Sequence, residues 1–472
     1  MSAMKPLAVL LTVLLAPASA FSATQLTLSE YLNQVNGKSP IVEAQKLHAE
    51  GGLKRAEGSE VLTFPYLFGS ANNYVDKAET AFPAQQGVET RSTVYSLGVG
   101  MNTPFGLNGK YTWNNADVLT LGSSFTTPGR YTSYNRLDFT LNLIRNGFGS
   151  EIRARKELIR AANTAQALAG QFAYTAKMAE AEASYWRLAL ARQAVLVQKD
   201  VLARAGKLLE WAKRRVGLQL GDRSDLLQAQ ASYDLYTLGL ATSVEEEKSA
   251  ARSFNLLRNV EGDSVPEAVA FPSVDEMLKM KAPERDGERL DLRATAEKTK
   301  AAQAQAQLDK EQLKPNVDVT ATYAWNGRDP ARSQATSEAF RGDHPTRAIG
   351  VVFSVPLNVP TWNRALKGAD QEIDANGLEL EQARLNEAKE WRDITARLRD
   401  ARARLSLVKT IEGVQKEKFE NERNRLQRGR STTFQSLTFE QDYAQSQLNR
   451  LRTQAEVLQL LAQMRTYQGS NP

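Results

Sequence analysis

The sequence predicts a mostly α-helical chain with a β-barrel portion, in which one order of elements is used twice. Three observations predict it. There is a weak internal duplication. There are two very long helical stretches with a heptad-like seam, each followed by a shorter one. Between them lie short alternating segments rich in Thr, Val, Tyr, Phe and Leu.

The duplication shows as two ungapped alignments. Residues from Pro40 to Pro65 align with Leu290 to Pro315 at one constant shift, matching Ala44 with Ala294, Leu53 with Gln303, Ala56 with Ala306 and Pro65 with Pro315. At a second shift Leu188 matches Leu398, Ala191 matches Ala401, Arg192 matches Arg402, Lys199 matches Lys409, Leu227 matches Leu437 and Tyr233 matches Tyr443. Identities are few, but the ends of the elements coincide. The chain therefore divides into 1–20, a leader; 21–260, a first repeat; 261–288, a linker; and 289–472, a second repeat.

Each repeat opens with a helix that stops at a proline, Pro65 or Pro315, because the residue before proline avoids the α region. The strand segments follow. In the first repeat they are Tyr66 to Tyr74, Thr93 to Asn102, Lys110 to Leu119 and Tyr134 to Leu143; in the second, Asn316 to Trp325 and Arg347 to Val355. Alternation such as Leu137-Asp138-Phe139-Thr140-Leu141-Asn142-Leu143 gives one apolar and one polar face, which a wall between lipid and water requires. A small soluble β-sandwich alternates in the same way.

The long helices are read over Ser150 to Leu218 and Arg364 to Gln427, the shorter ones over Ser224 to Val260 and Thr432 to Tyr467. At ~1.5 Å per residue the first is about 100 Å long, too long for a compact domain. Its seam, Leu188, Ala191, Val195, Gln198, Leu202, Ala205, Leu209, Ala212 and Val216, alternates spacings of three and four. The stripe resumes after the turn as Leu226, Gln230, Tyr233, Thr237, Leu240 and Val244, so an antiparallel coiled-coil hairpin follows. The linker carries Pro266, Pro272 and Pro283 and reads as a surface segment with a short helix.

The first twenty residues contain Lys5, an apolar run from Leu7 to Leu15 and the ending Ala18-Ser19-Ala20, the pattern of a secretory leader cleaved before Phe21. Beyond it no stretch reaches the ~18 apolar residues a spanning helix needs, so any membrane passage falls to strands. Cysteine is absent, which removes disulfides, thiol chemistry and a lipid-bearing cysteine. Only His48 and His344 are available for metal clusters or hydrolytic triads, so no enzyme, metal site or cofactor is expected. The net charge of +6 is dispersed along the chain, so no nucleic-acid partner is expected either.

Several stretches together resemble the TolC family of outer-membrane efflux proteins, over nearly the whole mature chain. Leu26-Thr27-Leu28-Ser29-Glu30-Tyr31-Leu32 and Ser39-Pro40-Ile41-Val42-Glu43-Ala44 are similar to its first helix, with Arg289-Leu290-Asp291-Leu292-Arg293-Ala294 as the counterpart in the second repeat. The most telling piece is Gly221-Asp222-Arg223-Ser224-Asp225-Leu226-Leu227-Gln228-Ala229-Gln230 with Tyr233. It is mirrored by Gly429-Arg430-Ser431-Thr432-Thr433-Phe434-Gln435-Ser436-Leu437 with Tyr443. The resemblance implies a homotrimer with a shared β-barrel in outer-membrane lipid and helical hairpins forming an α-barrel in the periplasm. It would carry cargo passively from an inner-membrane pump and a periplasmic adaptor, in a tripartite efflux pump or a type I secretion system. The family usually has two strands per repeat; the four candidates in this first repeat would lengthen or widen the barrel.

The resemblance also implies where the gate lies. In the family the hairpin tips constrict the periplasmic end, and the second tip often carries two aspartates three residues apart that form a cation-binding ring. The matching positions here are Gln435 and Thr438, both uncharged. Asp225 is kept in the first tip, and with Arg430 it is a candidate gate link; Asp225 and Ser224 are equally suited to capping the next helix. Adaptor contact is expected at Gly217, Gly221, Asp222, Arg428, Gly429 and Ser431. Two other readings compete. A periplasmic adaptor would have one hairpin and no duplicated strands, and a structural coiled coil of the envelope would need neither strands nor duplication.

Overall fold

The computed structural model describes residues 25–124, 129–355, 357 and 359–468. The leader expected over residues 1–20 lies outside them. The chain opens with β1 (Gln25–Leu26) and α1 (Leu28–Lys38). Thr27 and Glu30 start α1 with a capping box: the Glu30 N–H donates to Thr27 Oγ1 at 3.3 Å, and the Thr27 N–H donates to Glu30 Oε2 at 2.9 Å. Then come α2 (Pro40–Glu57), one 3-10 segment (Gly58–Thr63), β2 (Tyr66–Asp76), the one-turn α3 (Pro83–Gln86), β3 (Glu89–Asn102), β4 (Leu107–Leu121) and β5 (Gly129–Asn142). The long helix α4 (Ser150–Gly217) and the shorter α5 (Arg223–Leu257) complete the first repeat.

The linker holds β6 (Ala268–Val269) and α6 (Val274–Lys279). The second repeat follows as α7 (Leu290–Leu313), β7 (Asn316–Asp329), α8 (Arg332–Arg341), β8 (Pro345–Ser354), α9 (Val359–Gln427) and α10 (Thr433–Met464). The helix of the second repeat stops at Leu313, just before Pro315, whereas α2 ends earlier, at Glu57, and a 3-10 segment carries the chain on to Thr63; in both repeats a strand starts directly after the proline. All six expected strands are present.

The chain forms two compact units. One comprises the described residues up to Glu43, Ala176–Pro283 and Ile394–Arg465. Its aromatic centre stacks Tyr31 on Phe254 with centroids 4.0 Å apart, and the Tyr185 hydroxyl donates to the Leu26 carbonyl at 2.8 Å. The helical seam is buried as its spacing requires: Leu188, Ala191, Val195, Ala205, Leu209 and Ala212 are all core. Leu209, Ala212 and Ala229 cluster with Leu226 and Tyr233, which closes the α4–α5 hairpin.

In this unit the linker segment is more than surface. β6 pairs in parallel with β1, joining Gln25 to Ala268 and Leu26 to Val269, while Val265, Val274 and Met277 are buried. The duplicated arginines hold it. Arg192 of α4 donates to the carbonyls of Val265 and Glu267, and its repeat-mate Arg402 of α9 donates to the Met280 carbonyl at 2.5 Å. Lys409 adds a bidentate contact to Asp275 at 2.7 and 2.9 Å.

The other unit comprises Ala44–Thr175, Glu284–Asp393 and the residues from Thr466. It holds one six-stranded sheet in the order β2-β3-β4-β5-β7-β8, antiparallel at every step. Small residues let α2 and α4 approach each other closely: a Cβ on Gly52 of α2 would lie 2.8 Å from the Ala167 nitrogen of α4. Leu168, Leu290 and Ala294 form a small core with Phe172. Arg289 lies over the rings of Phe172 and Tyr467 and donates to Asp291 and Glu390.

Candidate functional site: the two hairpin tips and the two-faced sheet

The register of the sheet sorts its residues into two faces, because directly paired residues point the same way. Leu67, Val99 and Tyr111 share one face, continued by Leu137, Tyr323 and Arg347. Towards the strand ends nearest the helices that face carries Leu107, Leu141, Val319 and Val351, many of them exposed in the single chain. Above them Trp113 pairs with Asn135, which pairs with Trp325, so with Tyr111 and Tyr323 an aromatic belt bounds the apolar band. Barrel walls in lipid have such belts at their interfaces.

The opposite face is polar and internally hydrogen-bonded. Asn108 donates to Asn142 at 3.1 Å, Asn142 to Asp318 at 2.7 Å, and Thr322 to Asp138 at 2.7 Å. Arg136 pairs with Asp138 at 2.8 Å. A face of this composition needs water beside it.

The hairpin tips are copies of one another. In the first, the Gln219 N–H bonds the Val216 carbonyl at 3.0 Å and the Leu220 N–H bonds the Arg215 carbonyl at 2.8 Å. In the second, Gly429 bonds Leu426 at 3.0 Å and Arg430 bonds Arg425 at 2.9 Å, the same pair of bonds. They end α4 and α9 with a residue in the left-handed region, Gln219 at φ 58° and Gly429 at φ 70°. Each arginine, Arg215 and Arg425, also donates across its own turn, to the carbonyls of Leu220 and Arg430.

The helix caps also correspond. Asp222 caps α5, accepting from the Ser224 N–H at 2.8 Å, and Thr432 caps α10, accepting from the Gln435 N–H at 3.2 Å. The cap is therefore Asp222, not Ser224 or Asp225. Ser224 is the donor to it, and Asp225 sits in the first turn, where a negative charge meets the positive helix end. The backbone bond from Ser224 holds the Asp222 carboxyl below its usual range.

Ser431 donates to Glu422 and to Gln435 Oε1, the latter at 3.2 Å, and the Thr438 hydroxyl donates to the Phe434 carbonyl at 3.0 Å. Gln435 and Thr438 are exposed. Gly217, Gly221, Asp222, Arg428, Gly429 and Ser431 lie in or beside the two turns. Within the chain Asp225 and Arg430 make no ion pair with each other. The tips also expose Leu218, Leu220, Leu227 and Phe434.

One pairing escapes sequence reading. Arg204 of α4 and Glu440 of α10 belong to different repeats and lie far apart in the chain, and nothing in the duplication flags them. Among the described residues no group of three or more His, Asp or Glu could hold a metal ion, and no helix is long and apolar enough to cross a membrane.

Comparison with known proteins places this architecture. Residues 286–470 match the family model described as Outer membrane efflux protein. No curated protein matches the chain. Among solved structures it is similar to the outer-membrane channel OprN, at TM-score 0.69 and 16% identity, covering 94% of this chain and 90% of that one. It is likewise similar to the outer membrane protein VceC of Vibrio cholerae, at TM-score 0.68 and 16% identity, with 94% and 97% covered. The MtrE outer membrane channel of Neisseria gonorrhoeae gives TM-score 0.65 and 15% identity, with 93% and 88% covered.

The fold is thus shared with these outer-membrane proteins. The second repeat matches the outer membrane efflux protein family, which bears out the resemblance to the TolC family.

Proposed function

We propose that this protein is the outer-membrane channel of a tripartite efflux pump or a type I secretion system, acting as a homotrimer with no chemistry of its own. The observation that supports this best is one sheet with an apolar, belted face and a polar, hydrogen-bonded face, joined in both repeats to long helical hairpins. Lipid on one side and water on the other satisfy both faces. The hairpins extend into the periplasm and close at their tips. Cargo from an inner-membrane pump enters when a periplasmic adaptor spreads them.

The adaptor contacts Gly217, Gly221 and Asp222 in the first tip and Arg428, Gly429 and Ser431 in the second. The exposed Leu218, Leu220 and Phe434 supply apolar area there. Asp225 and Arg430, unpaired with each other within one chain, link neighbouring protomers in the closed tip, and Gln435 and Thr438 face the constriction. The test is fractionation and reconstitution. The protein should stay in outer membranes through carbonate washing, run as a trimer in mild detergent and conduct ions in planar bilayers. A carbonate-soluble monomer without conductance overturns the reading.

A further inference from the structure

Resting on the channel reading above, we propose that each chain supplies six strands to the shared barrel, eighteen in the trimer, and that the bore is water-filled and of porin width. The sheet is open. Among the described residues β2 is paired only with β3 and β8 only with β7, so both carry a row of unpaired backbone groups beside an apolar face. In lipid such edges cost several kcal/mol per group and must close on something.

Closing β8 onto β2 of the same chain would make a six-stranded barrel. Eight strands already leave an interior just wide enough for side chains to fill. The polar face, with Asn108, Asn142 and Asp318 hydrogen-bonded in a row and Thr322 bonded to Asp138, would then lose its water. Closure must therefore run through other copies. Strand directions alternate along the whole sheet, so β8 of one copy meets β2 of the next antiparallel, and the ring is regular for any number of copies.

With three copies the count is eighteen, in the range where barrels of about 16–18 strands hold an aqueous channel. The surplus over two strands per repeat is a single hairpin, β3–β4. Its position keeps the wall smooth: Gly98 and Gly100 leave room for the rings of Phe68 and Tyr66 to lie across β3 on the polar face.

The β7–β8 connection does not fill this bore. Its helix α8 packs against the other face of the sheet, where a Cβ on Gly327 would lie 2.0 Å from the Ala335 carbonyl oxygen. Asn135 donates to the Ala339 carbonyl at 3.0 Å and Asn115 to the Thr336 hydroxyl at 3.2 Å from that same face. The helix is a clamp on the outer wall above the aromatic belt.

The native chain has no cysteine, so engineered pairs can be read without background. Ser70→Cys in β2 combined with Ala348→Cys or Val352→Cys in β8 should, on oxidation of membranes, give covalent dimers and trimers. Ser70→Cys with Ser96→Cys, whose hydroxyl oxygens are 2.6 Å apart, should close within one chain. Electron microscopy of the trimer in nanodiscs should count eighteen strands.

Deleting residues 89–121 removes β3 and β4 while preserving strand alternation. Probed with neutral polymers entering from the extracellular side, its exclusion size should fall by roughly a third, since barrel diameter is about linear in strand number. Intrachain β2–β8 cross-links, or a trimer with twelve strands, overturn the inference and leave the channel reading standing. Absence from the outer membrane defeats the channel reading itself.

Discussion

Arg204 on α4 donates through Nε to Glu440 Oε1 on α10 at 2.6 Å, joining the hairpins of the two repeats through a charge pair almost closed to water. The guanidinium also lies 5.5 Å from the ring centres of Phe419 and Tyr443 and pairs with Asp200. Removing Glu440 leaves the largely buried Arg204 with the exposed Asp200 in place of a buried partner. Glu440→Ala should therefore lower the stability of the helical region by about 3 kcal/mol, read by denaturant unfolding in detergent.

The same carboxylate sets a pH dependence. Burial pushes Glu440 above its ordinary value of 4.5, against the opposing hydrogen bond from Arg204. The folded state thus holds this proton more tightly than the unfolded chain does. Its contribution is fully present below pH 4.5 and is lost as pH rises through the raised value. Glu440→Gln keeps an acceptor for Arg204 but cannot titrate, so it should flatten stability against pH in the window above 4.5. An unchanged slope in this variant would assign the dependence to another group.

The two tips should respond differently to acid although their turns are copies. The first is capped by Asp222, whose carboxyl is held below its ordinary value of 3.8, so its cap is present above that value and lost as pH falls through the depressed one. The second is capped by Thr432, which does not titrate. Hydrogen exchange at low pH should show residues 217–226 loosening before 428–436. At neutral pH Thr432→Ala should cost the second hairpin about 1 kcal/mol. Equal loosening of both tips would show that the caps do not govern fraying.

The clamp of α8 on the sheet turns on one glycine. Gly327→Val places side-chain atoms where Ala335 and Ala339 now sit, so α8 must lift off. The expected result is protease cleavage between β7 and β8 in intact cells, with the proposed trimer still formed. Resistance equal to the native protein would show that the helix shifts without releasing.

Much of this was legible in the sequence because two periodicities carry it. Alternation located all six strands, and the seam from Leu188 to Ala212 located the α4–α5 hairpin, since burial of one face is a local rule. Contacts between distant segments were not legible. Arg192 and Arg402 appear in the alignment as matched residues, but their common task, holding the linker by its carbonyls, needs the fold. Arg204 and Glu440 have no local signal at all. Capping was misplaced by two or three residues, because Asp222, Ser224 and Asp225 are all good caps and only backbone geometry selects among them.

The constriction proposed at the hairpin tips yields the sharpest electrical prediction. Gln435 and Thr438 stand one helical turn apart on α10, exposed and neutral, with Gln435 accepting from Ser431 and Thr438 donating to its own helix. Carboxylates at both positions, repeated by three protomers around a narrow axis, would focus a negative field that multivalent cations relieve. The native channel has no carboxylate at either position, so divalent or hexammine cations added from the periplasmic side should block its conductance only weakly. Changing Gln435→Asp and Thr438→Asp together should introduce block that weakens as salt screens the field. In the same recordings Asp225→Ala should raise open probability if its link to Arg430 of a neighbouring protomer closes the tip, and Arg430→Ala should do the same. If Asp225 acts only on the α5 dipole, Arg430→Ala alone leaves gating unchanged. Strong cation block of the native channel would place other acidic side chains at the constriction.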